Sequence, residues 1–236
     1  MSRKTVYFPH SFVIFAILLA LLLAVVALVF FGAISIAFAS VGFTPLTIFL
    51  LLLCTLVGST VNIPLFKMRT TQPMVHDDYV NWFGIPYRIP HVEYGTTVTT
   101  IAVNVGGALI PTAVSIYLLA RSSLNLILLS LIGILAVALV THLVARPVKG
   151  VGIQTPAFIP PLAAAVAAFI LAYASPAQAR TTIAYVAGTL GTLIGADLLN
   201  LRNVPKLGAP VASIGGAGTF DGVFLTGIIA VLLAGL

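Results

Sequence analysis

The sequence has very little charge: 7% of its 236 residues are Asp, Glu, Lys or Arg, against 60% hydrophobic residues. That excludes an ordinary water-soluble domain, in which about a quarter of residues are charged. There is one cysteine, Cys54, which excludes an intrachain disulfide framework and a cysteine-ligated metal cluster. It sits in a leucine-rich run and reads as a small apolar filler. No Gly-x-Ser-x-Gly, His-Glu-x-x-His, P-loop or dinucleotide fingerprint is found, so serine, zincin, phosphoryl-transfer and hydride chemistry lack sequence support. The net charge is +6, but the basic residues stand singly between apolar runs, which speaks against nucleic acid as a partner.

What is present is a succession of long apolar runs. They predict an all-α, polytopic membrane protein with a single integral membrane domain over 1–236 and about seven transmembrane helices. The expected spans are 11–39, 45–66, 98–119, 124–144, 158–174, 181–201 and 212–236. The first is too long for the hydrophobic core of a signal peptide, despite small residues at Ala37 and Ala39, and reads as a signal anchor. With the N-terminus cytoplasmic, alternate loops place Arg3, Lys4, Lys67, Arg69, Arg88, Arg146, Lys149, Arg202 and Lys206 inside, and only Arg121 and Arg180 outside. Such an excess of inward basic residues predicts a multi-pass protein of the cell membrane in that orientation, with the lipid bilayer as its partner.

The polar region 67–97 interrupts this pattern. Prolines at 73, 86 and 90 exclude a long helix, and Trp82, Phe83 and Tyr87 suit the headgroup layer. His76, Asp77, Asp78, His91 and Glu93 show no recognised ligand spacing, so the region reads as a solvated loop, with neither metal nor cofactor expected. Two further interruptions fall inside spans. Asn104-Val105-Gly106-Gly107 with Pro111 loosens the third, and the prolines and glycines between Arg146 and Pro161 predict a re-entrant or unwound approach to the fifth. Val103-Asn104-Val105-Gly106-Gly107-Ala108 also echoes Ala212-Ser213-Ile214-Gly215-Gly216-Ala217, and the similarity fades beyond those six positions.

Asp197 and Asp221 are the only two acids inside apolar runs, one near the end of span six and one early in span seven. A carboxyl in hydrocarbon is costly, so an ionisable residue there is a functional candidate. Counted from their shared cytoplasmic link, the two lie at similar depth and can face each other. Carboxyls that close share one proton, the arrangement by which one carboxylate activates water while its partner acid protonates a leaving group. Gly188, Gly191 and Gly195 form a stripe on the opposite side of span six, predicted to pack against a different helix. Gly218 and Gly222 adjoin Asp221 and admit close approach of a helix or extended strand, with Gly215, Gly216, Asn200 and Asn104 as further supporting residues.

The order of these parts resembles the aspartyl intramembrane proteases, the presenilin and signal peptide peptidase group. There one Asp lies in the sixth span, and a second ends a Gly-x-Gly-Asp motif opening the seventh. Here Gly218-Thr219-Phe220-Asp221 carries the first glycine and the acid, with Phe220 in place of the second glycine. The resemblance implies Asp197 and Asp221 as catalytic residues and a transmembrane peptide as substrate. Over its whole length the chain resembles an uncharacterised family of small prokaryotic membrane proteins, a domain of unknown function marked by Asn-Val-Gly-Gly-Ala and Ala-Gly-Thr-Phe-Asp-Gly blocks; that likeness implies no activity. Two other readings stay open. The acids can carry protons or a cation through a transporter or channel, with broken spans supplying carbonyls. Alternatively, they tie helices together, with Asn200, Asn104, His142 and Arg202 as partners.

Overall fold

The computed structural model describes residues 10–82, 85–149, 152–216 and 222–236, with side chains described for all of these except 10–11, 72–82, 85–93 and 206. Seven α-helices are described: α1 His10–Ser40, α2 Pro45–Gly58, α3 Ile110–Ala120, α4 Leu124–Val144, α5 Ile159–Leu171, α6 Ala177–Thr192 and α7 Gly222–Ala234. Helices α1 and α4 are long and apolar enough to cross a membrane. The apolar helices α2, α5 and α7 are shorter, at 14, 13 and 13 residues.

The all-α expectation needs correction. Strands β1 Asn62–Trp82 and β2 Ile85–Asn104 form a long antiparallel hairpin where a polar loop and the ends of two spans were expected. The run Thr96-Thr97-Val98-Thr99-Thr100-Ile101-Ala102-Val103 is rich in β-branched residues, which favours a pleated chain over a helix. Its prolines, which exclude a helix, are tolerated in a two-stranded ribbon, where each strand has a side without a ladder partner, and the register shifts between Pro64 and Phe66. The side chains of the aromatic and the His, Asp and Glu candidates in this region lie outside the described residues. Short strands β3 Arg146–Val148 and β4 Gly152–Gln154 pair antiparallel before α5, where the unwound approach was expected. Strand β5 Val211–Ile214 joins the hairpin in parallel, giving the order β1-β2-β5.

The spans change accordingly. The expected 45–66 span stops at Gly58, where Ser59 and Thr60 hydroxyls donate back to the carbonyls of Leu56 and Val57. The expected 98–119 span is strand to Asn104, then a π-turn at Val105–Leu109, then α3. Span 212–236 likewise begins as strand, to Ile214, and is helical over Gly222–Ala234. By contrast 124–144 is helical throughout as α4.

At the centre stands α6, buried over nearly all of Thr181–Thr192 and packed against α3, α4, α5 and α7. Its small residues allow this. Gly191 lies against Val137 and the Ile134 carbonyl of α4, and Gly195 against the Ala138 backbone and Thr141, as the glycine spacing predicts; Gly188 instead meets Ala164 of α5 and Ala230 of α7. The end of α1 joins this core through Phe38, whose ring centroid is 5.8 Å from Tyr185 and 6.3 Å from Phe224. Earlier in α1 the apolar side chains are exposed all round, and Cys54 is exposed on α2 rather than filling the core.

Candidate functional site

The site forms where α6 loses its regular winding. After Thr192 the chain makes a π-turn, Leu193–Leu198, closed by the Leu199 N–H donating to the Ile194 carbonyl at 2.9 Å. In an uninterrupted α-helix, residues five apart point about 140° apart. The wider turn rotates the residues beyond Thr192, and Thr192, Ala196 and Asp197 all line one cavity.

That cavity has a volume of about 320 Å³. Its walls come from the π-turn, the β4 region at Ile153 and Thr155, the 3-10 segment Leu201–Leu207, all of β5, and Gly216, Gly222 and Val223. Much of the lining is aliphatic: Ile101, Leu201, Val204, Leu207, Ile214 and Val223. The Asp197 carboxylate is fixed by its neighbours, with Oδ2 accepting the Gly215 N–H at 2.7 Å.

Gly215 lies between the wall residues Ile214 and Gly216. Its φ of +80° is the left-handed region, and a β-carbon would stand 2.5 Å from that of Ala108. Across from it, a β-carbon on Gly107 would collide with the Gly215 carbonyl oxygen. The two echoing sequence blocks therefore meet in space. Val103 pairs with Ile214 in the parallel ladder, and each strand leads through its glycines toward a helix, α3 or α7. The junction is secured by the Thr100 N–H to the Pro210 carbonyl at 2.9 Å and the Thr99 hydroxyl to the Ala209 carbonyl at 2.8 Å.

The predicted residues divide into three groups. Asp197, Gly216 and Gly222 line the cavity, and Gly215 touches the carboxylate. Asp221 and Gly218 lie outside the described residues, although Gly216 and Gly222 on either side of their segment both belong to the cavity wall. Asn104 and Asn200 are placed elsewhere, in supporting positions. Asn104 is fully buried, donates to the Ser59 carbonyl at 2.8 Å and to Asn62 Oδ1, and accepts the Gly107 N–H at 2.7 Å, capping the first π-turn. Asn200 closes the second: its amide nitrogen reaches the Gly195 carbonyl at 3.1 Å, the Ala196 carbonyl at 3.0 Å and His142 Nδ1 at 3.2 Å. Asn200 is thus a buried cap of the second π-turn.

The family described as "Protein of unknown function (DUF1614)" matches residues 56–233. The chain belongs to that family. The DUF1614 region begins in the last turn of α2, leaves out α1, and takes in every residue that lines the cavity. No curated protein and no solved structure matches the chain.

Sequence reasoning passed over Thr192, Thr155 and Ser213, which also line the cavity. A hydroxyl in an apolar run carries no distinctive signal, and only the fold brings these three to Asp197. The strand at 211–214 left a faint trace, a short apolar stretch held between Pro210 and a glycine pair.

Proposed function

We propose that this member of the DUF1614 family is a multi-pass protein of the cell membrane, with about seven crossings, in which Asp197 and Asp221 act as a shared-proton carboxyl pair on a peptide bond. The observation that carries this reading is the composition of one wall. The Asp197 carboxylate borders a cavity that is also lined by β5 and by the two glycines flanking the Asp221 segment. Strand β5 is the edge of its sheet, and an edge strand is a template for an extended peptide. In the proposed reaction one carboxylate takes a proton from water as it attacks the peptide carbonyl, and the partner acid protonates the departing nitrogen.

The membrane part of the proposal is supported by α1 and α4, by exposed aliphatic faces such as Leu128, Leu135, Leu139 and Leu143 of α4, and by the basic-residue count. Helices of 13 residues reach about 20 Å, short of a ~30 Å hydrocarbon core. Extended chain can complete a crossing where its polar groups are paired or line a cavity, and β5 meets both conditions.

A hydroxyl-bearing transition-state mimic of peptide cleavage tests the proposal. It should bind the detergent-solubilised protein and lose binding in both Asp197→Asn and Asp221→Asn. Retained binding in either variant refutes the pair. A second reading, proton or cation transport, is favoured by the two π-turns, at Val105–Leu109 and Leu193–Leu198, which interrupt helices as ion pathways often do. It requires a gradient-driven flux in proteoliposomes that the same substitutions abolish.

A further inference from the structure

A second cavity stands at the end of the bundle where α6 begins, separated from Asp197 by the 16 residues of that helix, a length of about 24 Å. Three connections meet there: 41–43 after α1, 121–123 between α3 and α4, and the entry to α6 at Pro176. The cavity has a volume of about 360 Å³, which falls in the range of small-molecule sites, about 300–1,000 Å³. Its accessible wall is more polar than apolar, whereas the groove between α1 and α2 is almost wholly apolar.

The charge in this wall is positive. Arg121 is exposed and lines the cavity, and among the described residues no acid lines it. The guanidinium is held in place: Nη1 donates to the Tyr117 hydroxyl at 2.6 Å, the guanidinium carbon lies 5.5 Å from the centroid of the Tyr117 ring, and that ring stacks on Phe43 at 5.6 Å. A guanidinium carries five N–H donors, and the Tyr117 hydroxyl is the side-chain partner of Arg121 among the described residues, so most of its donors are unspent. Two further exposed donors share the wall. The Ser123 hydroxyl accepts the Leu126 N–H at 3.4 Å and keeps its own proton, and the Gln178 amide nitrogen lies over Gly42, 2.7 Å from where a β-carbon would stand.

A wall with a fixed guanidinium, neutral donors and no carboxylate suits an anion, and the planar fork of arginine matches the oxygens of phosphate. The first turns of α4 and α6 border the same cavity, and the positive ends of their dipoles add to the field. Phe43 and Leu126 supply an apolar side for the carbon attached to a phosphate ester. Arg180, the other basic residue near the start of α6, lies 4.6 Å from the centroid of the Phe169 ring and does not line the cavity.

We propose that the cavity at Arg121 is a binding site for a phosphate group, with the Arg121 guanidinium as its ion-pair partner and Tyr117 as the residue that positions that guanidinium. The group is either free phosphate or the headgroup of a phospholipid. This site stands apart from the Asp197 cavity and does not depend on the reading of the acid pair.

The test uses the full chain in a phosphate-free detergent at fixed ionic strength. One arm titrates inorganic phosphate by calorimetry, and the other adds dioleoylphosphatidylglycerol, with dioleoylglycerol as the phosphate-free control, and counts bound lipid by native mass spectrometry. Wild type should bind in at least one arm, and the responding arm tells free phosphate from a lipid headgroup. Arg121→Gln should weaken that binding about tenfold or more, because a charge-assisted pair is lost. Tyr117→Phe keeps the ring and removes the hydroxyl, so affinity should fall about two- to fivefold. Arg180→Gln should stay within about twofold of wild type, since its charge lies off the cavity. Absence of binding in both arms, equal binding of dioleoylglycerol, or unchanged affinity in Arg121→Gln overturns the site. An equal loss in Arg180→Gln and Arg121→Gln also overturns it, by showing a general effect of surface charge. If Arg121→Gln does not fold, Arg121→Lys, which loses the fork and keeps the charge, should bind about threefold or more weakly than wild type.

Discussion

The main-chain N–H of Gly215 donates to Oδ2 of Asp197 at 2.7 Å, joining the end of β5 to the π-turn of α6 across 18 residues. The bond explains two features at once. It orients a carboxylate in a largely apolar cavity, and it ties the left-handed glycine at the end of the strand to the central helix.

Gly215→Ala tests the strand side of that bond. The substitution places a β-carbon in the left-handed region and 2.5 Å from that of Ala108, so the protein should lose about 1–3 kcal/mol of stability. Thermal unfolding in detergent reads the loss. Gly222→Ala is the control: among the described residues nothing stands within 4 Å of its added carbon, and the midpoint should hardly move.

Asp197→Asn tests the acid side. The amide oxygen still accepts the Gly215 N–H, so the unfolding midpoint should stay within a few degrees of wild type, a shift of about 1 kcal/mol or less. Binding of a transition-state mimic should nevertheless disappear. A large fall in stability would show that the charge itself holds the fold.

Asn104 should be the costliest polar side chain to remove. Asn104→Ala leaves the buried Gly107 N–H and Ser59 carbonyl without their partner, a loss of about 2–4 kcal/mol. Asn104→Asp retains an acceptor for Gly107 and loses the donor to Ser59, so it should not rescue the midpoint. Equal stability of wild type and Asn104→Ala would remove Asn104 from the account of the first π-turn.

The α4–α6 contact admits a similar test. A β-carbon on Gly191 would lie 2.7 Å from that of Val137, at a fully buried site, so Gly191→Val should cost about 1–3 kcal/mol through overpacking. Combining it with Val137→Ala should recover part of the loss, because the two share one volume. Simple additivity of the two would show that they do not press on each other.

Asn200 and His142 can be separated by substitution. Asn200→Ala removes a buried amide that satisfies the carbonyls of Gly195 and Ala196, and should cost about 1–2 kcal/mol. His142→Ala removes only one of the contacts of that amide and should cost about 1 kcal/mol or less. Unfolding midpoints of the two variants and their double give the coupling.

Composition and periodicity were enough to mark the long apolar helices, because burying or exposing a run such as Leu124–Val144 depends on side chains alone and the run carries its own pattern. They also singled out Asp197, whose charge type is out of place in its segment whatever the fold. The hairpin was not legible in the same way: the apolar parts of Asn62–Gln72 and Gly95–Asn104 read as span ends and their polar parts as loop, and only pairing between the two segments makes them strands. The same holds for β5, four residues that become a strand because β2 offers them an edge. The meeting of Gly107 with Gly215, the rotation of Asp197 by the π-turn and the approach of Thr192 to its cavity are likewise products of tertiary contact. Local sequence determines what each segment can bury; which residues face a shared cavity depends on how far a turn is wound and which strand lies alongside, and both are settled by packing between distant parts of the chain.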